Sequence, residues 1–159
     1  MIDHRTAAQD AKRLLDATGM TGGKPVLLVG EEHDRHLALD ALSQLVGVTP
    51  INLNAVLAEA LIEAAGTRVD VGTIIAAMEP AASVLLLNRI QILMLPQLRT
   101  NAIDVLCRVA RRRAVCASWP GRLDHGRLRY ADPDHPECLD EDASRALVLD
   151  LSTNEGTIR

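Results

Sequence analysis

Apolar runs and helix-period stripes alternate along this chain and predict strands and helices in turn. Residues 5 to 18 set Ala7, Ala11, Leu14 and Leu15 on one face, with Lys12, Arg13 and Asp16 elsewhere, which predicts a leading helix. Val26-Leu27-Leu28-Val29 is wholly apolar and stopped by Gly30, the pattern of a buried strand, and Ala38, Ala41, Leu42 and Leu45 then recur at helical spacing. Thr49-Pro50-Ile51-Asn52-Leu53 reads as a second strand. Asn54 caps a helix striped by Val56, Leu57, Ala60, Leu61 and Ala64 and ended by Gly66, and Asp70 caps another that carries Val71, Ile74, Ile75 and Met78 and stops near Pro80. Ser83 to Leu87 is the most apolar run and suits the central strand of a parallel sheet covered on both faces. Leu98, Ala102, Val105, Leu106 and Val109 predict a helix to Arg111, and Ala114 to Ser118 a strand broken by Trp119-Pro120-Gly121. A tight turn at Asp124-His125-Gly126 joins two short antiparallel segments, with Leu128 and Tyr130 in the second. Residues 132–142 read as acidic, proline-containing loop, 146–151 as a last strand and 152–159 as a polar tail. Together these predict an α/β fold over residues 1–151, one domain whose leading helix lies in 1–20, with a mainly parallel sheet flanked by helices in three layers.

Composition narrows the function classes. At 159 residues and 48% apolar, the chain can bury a substantial core, and with one tryptophan, one tyrosine and no phenylalanine that core is aliphatic. Base-stacking surfaces are disfavoured for the same reason. No run reaches the roughly 18 apolar residues needed to span a bilayer, and the charged start MIDHRTAAQDAKRLL has no signal-peptide core, which points to the cytoplasm. Cys107, Cys116 and Cys138 fit reduced thiols there, the first two as small side chains in apolar runs.

The chemistry gathers on the stretch from Pro25 to Leu39. Strand, glycine, short turn and helix form the frame of a phosphate-binding loop, which carries G-x-x-x-x-G-K-[ST]: glycine for the turn, lysine for the terminal phosphates, hydroxyl for magnesium. Counted from Gly30, those positions hold Arg35, His36 and Leu37. The apolar strand that ends in a magnesium-holding aspartate in such enzymes ends here in Asn88, with Gln91 nearby. An amide keeps a carboxylate's shape without the charge, so Gly30, Arg35, His36, Leu37 and Asn88 read as a nucleotide site that has lost its chemistry. Asn88 alone is also an ordinary strand-end residue. The earlier GMTGGKP is a plain turn, one residue short of the motif and with Pro25 where a hydroxyl is needed. His33 and His36 near Asp34, and His135 near Cys138, lack a second strong ligand pair and read as solvated loop residues; no metal is expected.

The net charge of −4 hides a polarity: nine arginines stand against Asp104 and Asp124 between Arg89 and Arg129, and the flanks are acidic. Arg108, Arg111, Arg112, Arg113, Arg122, Arg127 and Arg129 admit three readings. They are solvated helix ends, a sequence-independent DNA surface, or an interface on which one subunit's basic face meets acids such as those at 132–142 in a homo-oligomer.

From Val84 the runs VLLLNRIQIL, ARRRAVCASWPGRL and HGRLRYADPDHPE resemble the small P-loop subunit of type 3 bacteriophage-exclusion (BREX) systems, the BrxF family. The C-terminal signature G-x-L-x-Y-A-x-P-x-H-P-E is met by Gly126, Leu128, Tyr130, Ala131, Pro133, His135, Pro136 and Glu137; VLLVG at 26–30 and INLN at 51–54 extend the likeness over residues 25–151. The resemblance implies a P-loop NTPase-like fold of the RecA/AAA kind and a phage-defence context with other defence subunits as partners. Its departures, Arg35, His36, Leu37 and Asn88, fall on the nucleotide site. The expectation is a non-catalytic, ATPase-like subunit with no cofactor, acting through protein–protein and DNA contacts. The alternatives are a divergent ATP- and magnesium-binding P-loop ATPase, with Arg35 or His36 as the phosphate cation, and a DNA-binding or assembly module with a relic pocket.

Overall fold

A strand of four aliphatic residues with no polar alternation must be covered on both faces, and that requirement organises the computed structural model, which describes residues 3–17, 23–64, 70–152 and 157–158. Along the chain run α1 (His4–Asp16), β1 (Val26–Val29), α2 (Glu32–Val46), β2 (Ile51–Asn52), α3 (Leu53–Glu63), α4 (Val71–Ala76), β3 (Val84–Asn88), α5 (Ala102–Arg112), β4 (Ala114–Ser118), β5 (Arg122–Asp124), β6 (Arg127–Tyr130), β7 (Leu139–Asp142), β8 (Leu147–Asp150) and β9 (Thr157–Ile158). Strands β2, β3, β4, β1 and β8 lie side by side in that order, all parallel, and β9 adds an antiparallel edge beyond β8.

Alternate residues of each strand face opposite ways. Val26, Leu28, Val84, Leu86, Cys116 and Leu149 meet Ala7, Ala8, Ala11 and Leu15 of α1 and Ala38, Leu39 and Leu42 of α2. Leu27, Val29, Leu85, Leu87, Val115, Ala117 and Val148 meet the apolar stripes of α3, α4 and α5. The sheet is therefore flanked by helices on both faces, as the apolar runs predict. Each fully buried leucine stabilises the fold by roughly 1.5–3 kcal/mol. Among the described residues no helix is long and apolar enough to cross a membrane.

Several expectations need correction. Residues 132–142 are not all loop: Leu139–Asp142 is β7, which pairs antiparallel with β6 to make a second, three-stranded sheet β5-β6-β7. Its acids are strand residues with cross-strand partners, Arg127 Nε donating to Asp140 Oδ1 at 2.8 Å, while Leu128 and Leu139 turn into the main core. The second strand is only Ile51–Asn52, and Asn52, not Asn54, caps α3 by accepting from the Ala55 N–H at 3.2 Å. Leu98 closes a short 3-10 turn, and α5 begins at Ala102 because Asn101 caps it, accepting from the Asp104 N–H. α4 is shorter than expected, ending at Ala76, and the last strand spans 147–150. The 152–159 stretch is not tail throughout, since β9 pairs with β8. The proposed stop at Gly66 and most of the GMTGG turn lie outside the described residues.

The thiols differ sharply in setting. Cys116 is fully buried on β4, and burial pushes its thiol up to about 12; Cys107 is half-buried and raised by the same cause, with Sγ against the Arg145 carbonyl, whereas Cys138 is exposed. Only a thiolate reacts with an alkylating agent. Iodoacetamide at pH 8 is expected to label Cys138 promptly in native protein and Cys116 only after denaturant is added, read by peptide mass spectrometry. Prompt native labelling of Cys116 contradicts its placement in the sheet.

Candidate functional site

Parallel strands deliver their carboxyl ends to one edge of the sheet, and ligands in open α/β sheets bind there, outside the point where strand order reverses. Here β1 lies between β4 and β8, so the ends of β1, β3 and β4 surround that point. A cleft of about 340 Å³ opens at this edge, lined by Glu32, His33, Arg35, His36, Asn88, Arg89, Gln91 and Ser118.

The turn leaving β1 is short. Val29 ends the strand, Gly30 and Glu31 follow, and α2 starts at Glu32 with the Arg35 N–H bonded to the Glu31 carbonyl at 2.9 Å. Gly30 has φ +148°, and a Cβ there would stand 3.0 Å from Leu151 Cβ, so the turn needs glycine. A phosphate loop needs several successive backbone N–H groups to wrap the phosphates. This turn has no such length, and the motif's lysine and hydroxyl positions, His36 and Leu37, already lie within α2. Glu32 and Asp34 occupy the first helical turn and Glu31 the cap, a placement that suits the helix dipole but repels phosphate.

Arg35 does not project as a free cation. It belongs to the buried stripe of α2 with Ala38, Leu39 and Leu42 and is 8% exposed. Its Nε donates to the Gly30 carbonyl at 3.0 Å and its Nη1 to Ser118 Oγ at 2.7 Å, so the side chain fastens the β1 turn to the end of β4. Burial pulls its guanidinium below the usual arginine range, partly offset by Glu32 and Glu31. His36 is exposed and faces Asp40 at 3.4 Å, and Leu37 is outside the cleft lining.

Across the cleft, Asn88 ends β3 with Oδ1 accepting from the Arg89 N–H at 2.9 Å. Arg89 takes the left-handed conformation, φ +50°, rare for a residue other than glycine. Asn54 holds it there: its N–H donates to the Arg89 carbonyl at 3.0 Å and its Oδ1 accepts from the Ile92 N–H at 2.8 Å. Arg89 reaches Glu32 at 3.7 Å, closing the rim. Gln91 Oε1 is buried with no hydrogen-bond partner among the described residues. The expected set is thus partly assembled: Arg35, His36 and Asn88 line one cleft, Gly30 braces it through its carbonyl, and Leu37 stands apart. Ser118 and Asn54 were not among the expected residues; a serine closing an apolar strand and an asparagine opening a helix are the signals that mark them.

Magnesium nucleotide fits this set poorly. Neither a hydroxyl at position 37 nor a carboxylate at position 88 is present to orient the ion's waters, and the acids near the cleft cap α2. Among the described residues no cluster of three or more His, Cys, Asp or Glu is placed to hold a metal, and His4 instead pairs with Asp34 at 3.0 Å.

The arginine-rich segment is neutralised in part within the chain. Arg108 pairs with Asp70 at 3.4 Å, Arg127 with Asp140, and Arg129 with Asp124 at 3.3 Å and Asp140 at 3.8 Å. Of the acids at 132–142 that are candidates for a neighbouring subunit's basic face, Asp140 and Glu141 meet arginines inside the chain, Asp140 with Arg127 and Arg129 and Glu141 with Arg145. Arg113 caps α5 and donates to the carbonyls of Ala76, Met78, Glu79 and Ala82, gathering the turn that feeds β3. Arg99, Arg111, Arg112 and Arg122 of this segment have no ion pair or side-chain hydrogen bond among the described residues. Hydrogen bonds to a charged donor contribute about 1.5–3 kcal/mol each and are not additive around one side chain, so Arg113→Ala is expected to cost about 2 kcal/mol in urea unfolding. A cost below about 0.5 kcal/mol, the level of an ordinary surface change, contradicts this bracing role.

Compared with known families, curated proteins and solved structures, the chain matches no family model, no curated protein and no solved structure.

Proposed function

We propose that this chain is a non-catalytic, ATPase-like subunit of a cytoplasmic phage-defence complex of the bacteriophage-exclusion kind, acting through protein–protein contacts. The observation that carries the reading is the β1–α2 turn: only Gly30 and Glu31 stand between strand and helix, acids occupy the helix start, and Arg35 is folded into the turn. A three-layer P-loop-like scaffold is supported by the central place of β1 and by the cleft at the strand ends. The defence context rests on the signature from Gly126 to Glu137, whose first half lies on β6 of the small sheet.

Titration calorimetry of ATP and ADP, with and without magnesium, tests the reading. No heat of magnesium-dependent binding is expected; micromolar binding followed by hydrolysis removes the proposal and restores the divergent ATPase. A DNA-contact role now rests on Arg111, Arg112 and Arg122, the candidate arginines with neither an ion pair nor a side-chain hydrogen bond among the described residues. Salt-sensitive retention of DNA that disappears in Arg111→Ala/Arg112→Ala supports that role, and retention that persists counts against it.

A further inference from the structure

A helix that is apolar on every side is ordinarily covered on every side. α3 is only half covered: Leu53 and Leu57 are buried in the core, while Val56, 41% exposed, and Ile62, 75% exposed, stand on its outer side. They are two of the three large apolar side chains exposed among the described residues. The only charges on α3, Glu59 and Glu63, share that outer side and are exposed, with no ion pair or hydrogen bond among the described residues. Both oppose the helix that carries them. Like charges four residues apart repel, and no basic residue offsets them in the last turn, where the helix dipole is negative. A cation brought from outside relieves both repulsions.

The same helix layer carries the complement. α5 ends in Arg111 and Arg112, both exposed and without an ion pair or side-chain hydrogen bond among the described residues. α3 starts directly after β2 and α5 ends directly before β4, so both run back against the parallel strands and finish at the amino edge of the sheet, opposite the cleft. α4 touches both and packs on the same face. Two helix spacings, roughly 16–20 Å, hold the acids of α3 and the arginines of α5 beyond ion-pair reach within one chain.

We propose that the outer side of the α3–α4–α5 layer is a self-association surface, on which a second copy of this chain docks about a two-fold axis. An axis running along α4, between two copies stacked layer on layer, lays α3 of each over α5 of the other with their C-terminal ends together. Glu59 and Glu63 of one protomer then meet Arg111 and Arg112 of its partner, twice in each dimer, and the partner's helix layer covers Val56 and Ile62. At the axis α4 exposes only Thr73 and, at its cap, Ala77, small groups that let the layers close. DNA would use the arginines and leave the acids and Ile62 unanswered. The inference rests on the protein–protein part of the proposed function and names its surface and its partner.

Sedimentation equilibrium of the full chain tests the proposal. A dimer with Kd on the order of 10 μM is expected, the scale of a small, wet interface, and it weakens as salt rises. Glu59→Arg/Glu63→Arg and Arg111→Glu/Arg112→Glu each set like charge against like, and each is expected to weaken the dimer at least about tenfold. Mixed in equal amounts, the two variants are expected to pair with each other as tightly as the native chain, because each reversed pole finds its complement on the other protomer. Ile62→Ser, which changes no charge, is expected to weaken the dimer about fivefold. All five positions are exposed, so far-UV circular dichroism should stay native; should one charge variant fail to fold, the other and Ile62→Ser decide. The proposal is overturned if the native chain is monomeric at about 500 μM, if the charge reversals leave the dimer unchanged, or if two folded variants fail to associate when mixed. Mass that grows past the dimer with concentration, a head-to-tail assembly, also overturns it. So does DNA that the intact dimer retains and Arg111→Glu/Arg112→Glu loses, which would give the arginines to nucleic acid. A monomer that binds no nucleotide removes this surface alone, and magnesium-dependent ATP binding by an intact dimer removes the non-catalytic reading alone.

Discussion

Gly121→Ala is expected to lose about 3 kcal/mol of stability or more, a large effect for adding a single methyl group. Gly121 lies where the chain leaves β4 for β5, and a Cβ there would lie 2.8 Å from the Arg129 carbonyl carbon, 2.9 Å from Trp119 Nε1 and closer still to the Arg129 oxygen. Its backbone conformation is open to other residues, so the obstruction is space alone. Neither neighbour can yield easily. The Arg129 backbone is held in β6, between β5 and β7, and Trp119 is fully buried. Relief requires the small sheet to swing from the core, withdrawing Leu128 and Leu139 from the cluster that also holds Trp119. Urea unfolding followed by far-UV circular dichroism reads the effect. A loss under about 1 kcal/mol, within the range of ordinary point changes, would refute the close approach.

The large features of the fold were legible because their physics is local. Strands β1, β3 and β4 are covered on both faces, so burial writes unbroken apolar runs, and the helices between them carry ordinary stripes. What escaped depends on partners distant in the chain. β7 reads Leu-Asp-Glu-Asp, a loop composition by any local measure, and becomes a strand because Arg127 and Arg129 stand opposite it in register. Two asparagines at 52 and 54 offer equally good caps; only the position of the 88–92 turn, with backbone groups needing Asn54, decides between them. Nor does the sequence alone show that Arg89, Arg108, Arg127 and Arg129 of the basic stretch already have carboxylate partners.

Arg35 is the instructive case at the site. Aligned to a motif it stands for a lost glycine; aligned to its own helix it is the first member of an i, i+3, i+4, i+7 stripe with Ala38, Leu39 and Leu42. That spacing predicts a buried arginine, and Ser118, three strands of sequence away but next to β1 in the sheet, is its partner. A degenerate motif therefore pointed to a residue that fastens the β1 turn to the end of β4.

Trp119 is the second position where a large effect is expected. It closes β4 directly after Ser118, its N–H donates to the Leu28 carbonyl at 2.8 Å, and its ring is fully buried in the core shared by both sheets. Trp119→Ala leaves a cavity that the small sheet and α5 cannot fill, and should cost about 3–5 kcal/mol. Trp119→Phe separates packing from polarity. The indole Nε1–H has no partner among the described residues, and burying such a donor costs about 1–3 kcal/mol, so phenylalanine forfeits ring volume but also removes that penalty. The expected order in urea midpoints by circular dichroism is native, then phenylalanine close behind, then alanine far below. Equal losses for both variants would mean that the N–H is satisfied or that only the full indole fills the site. Because β4 presents Ser118 to Arg35, phenylalanine should leave the geometry of the cleft intact while alanine loosens it, which ties the packing of a core aromatic to the buried guanidinium at the strand ends.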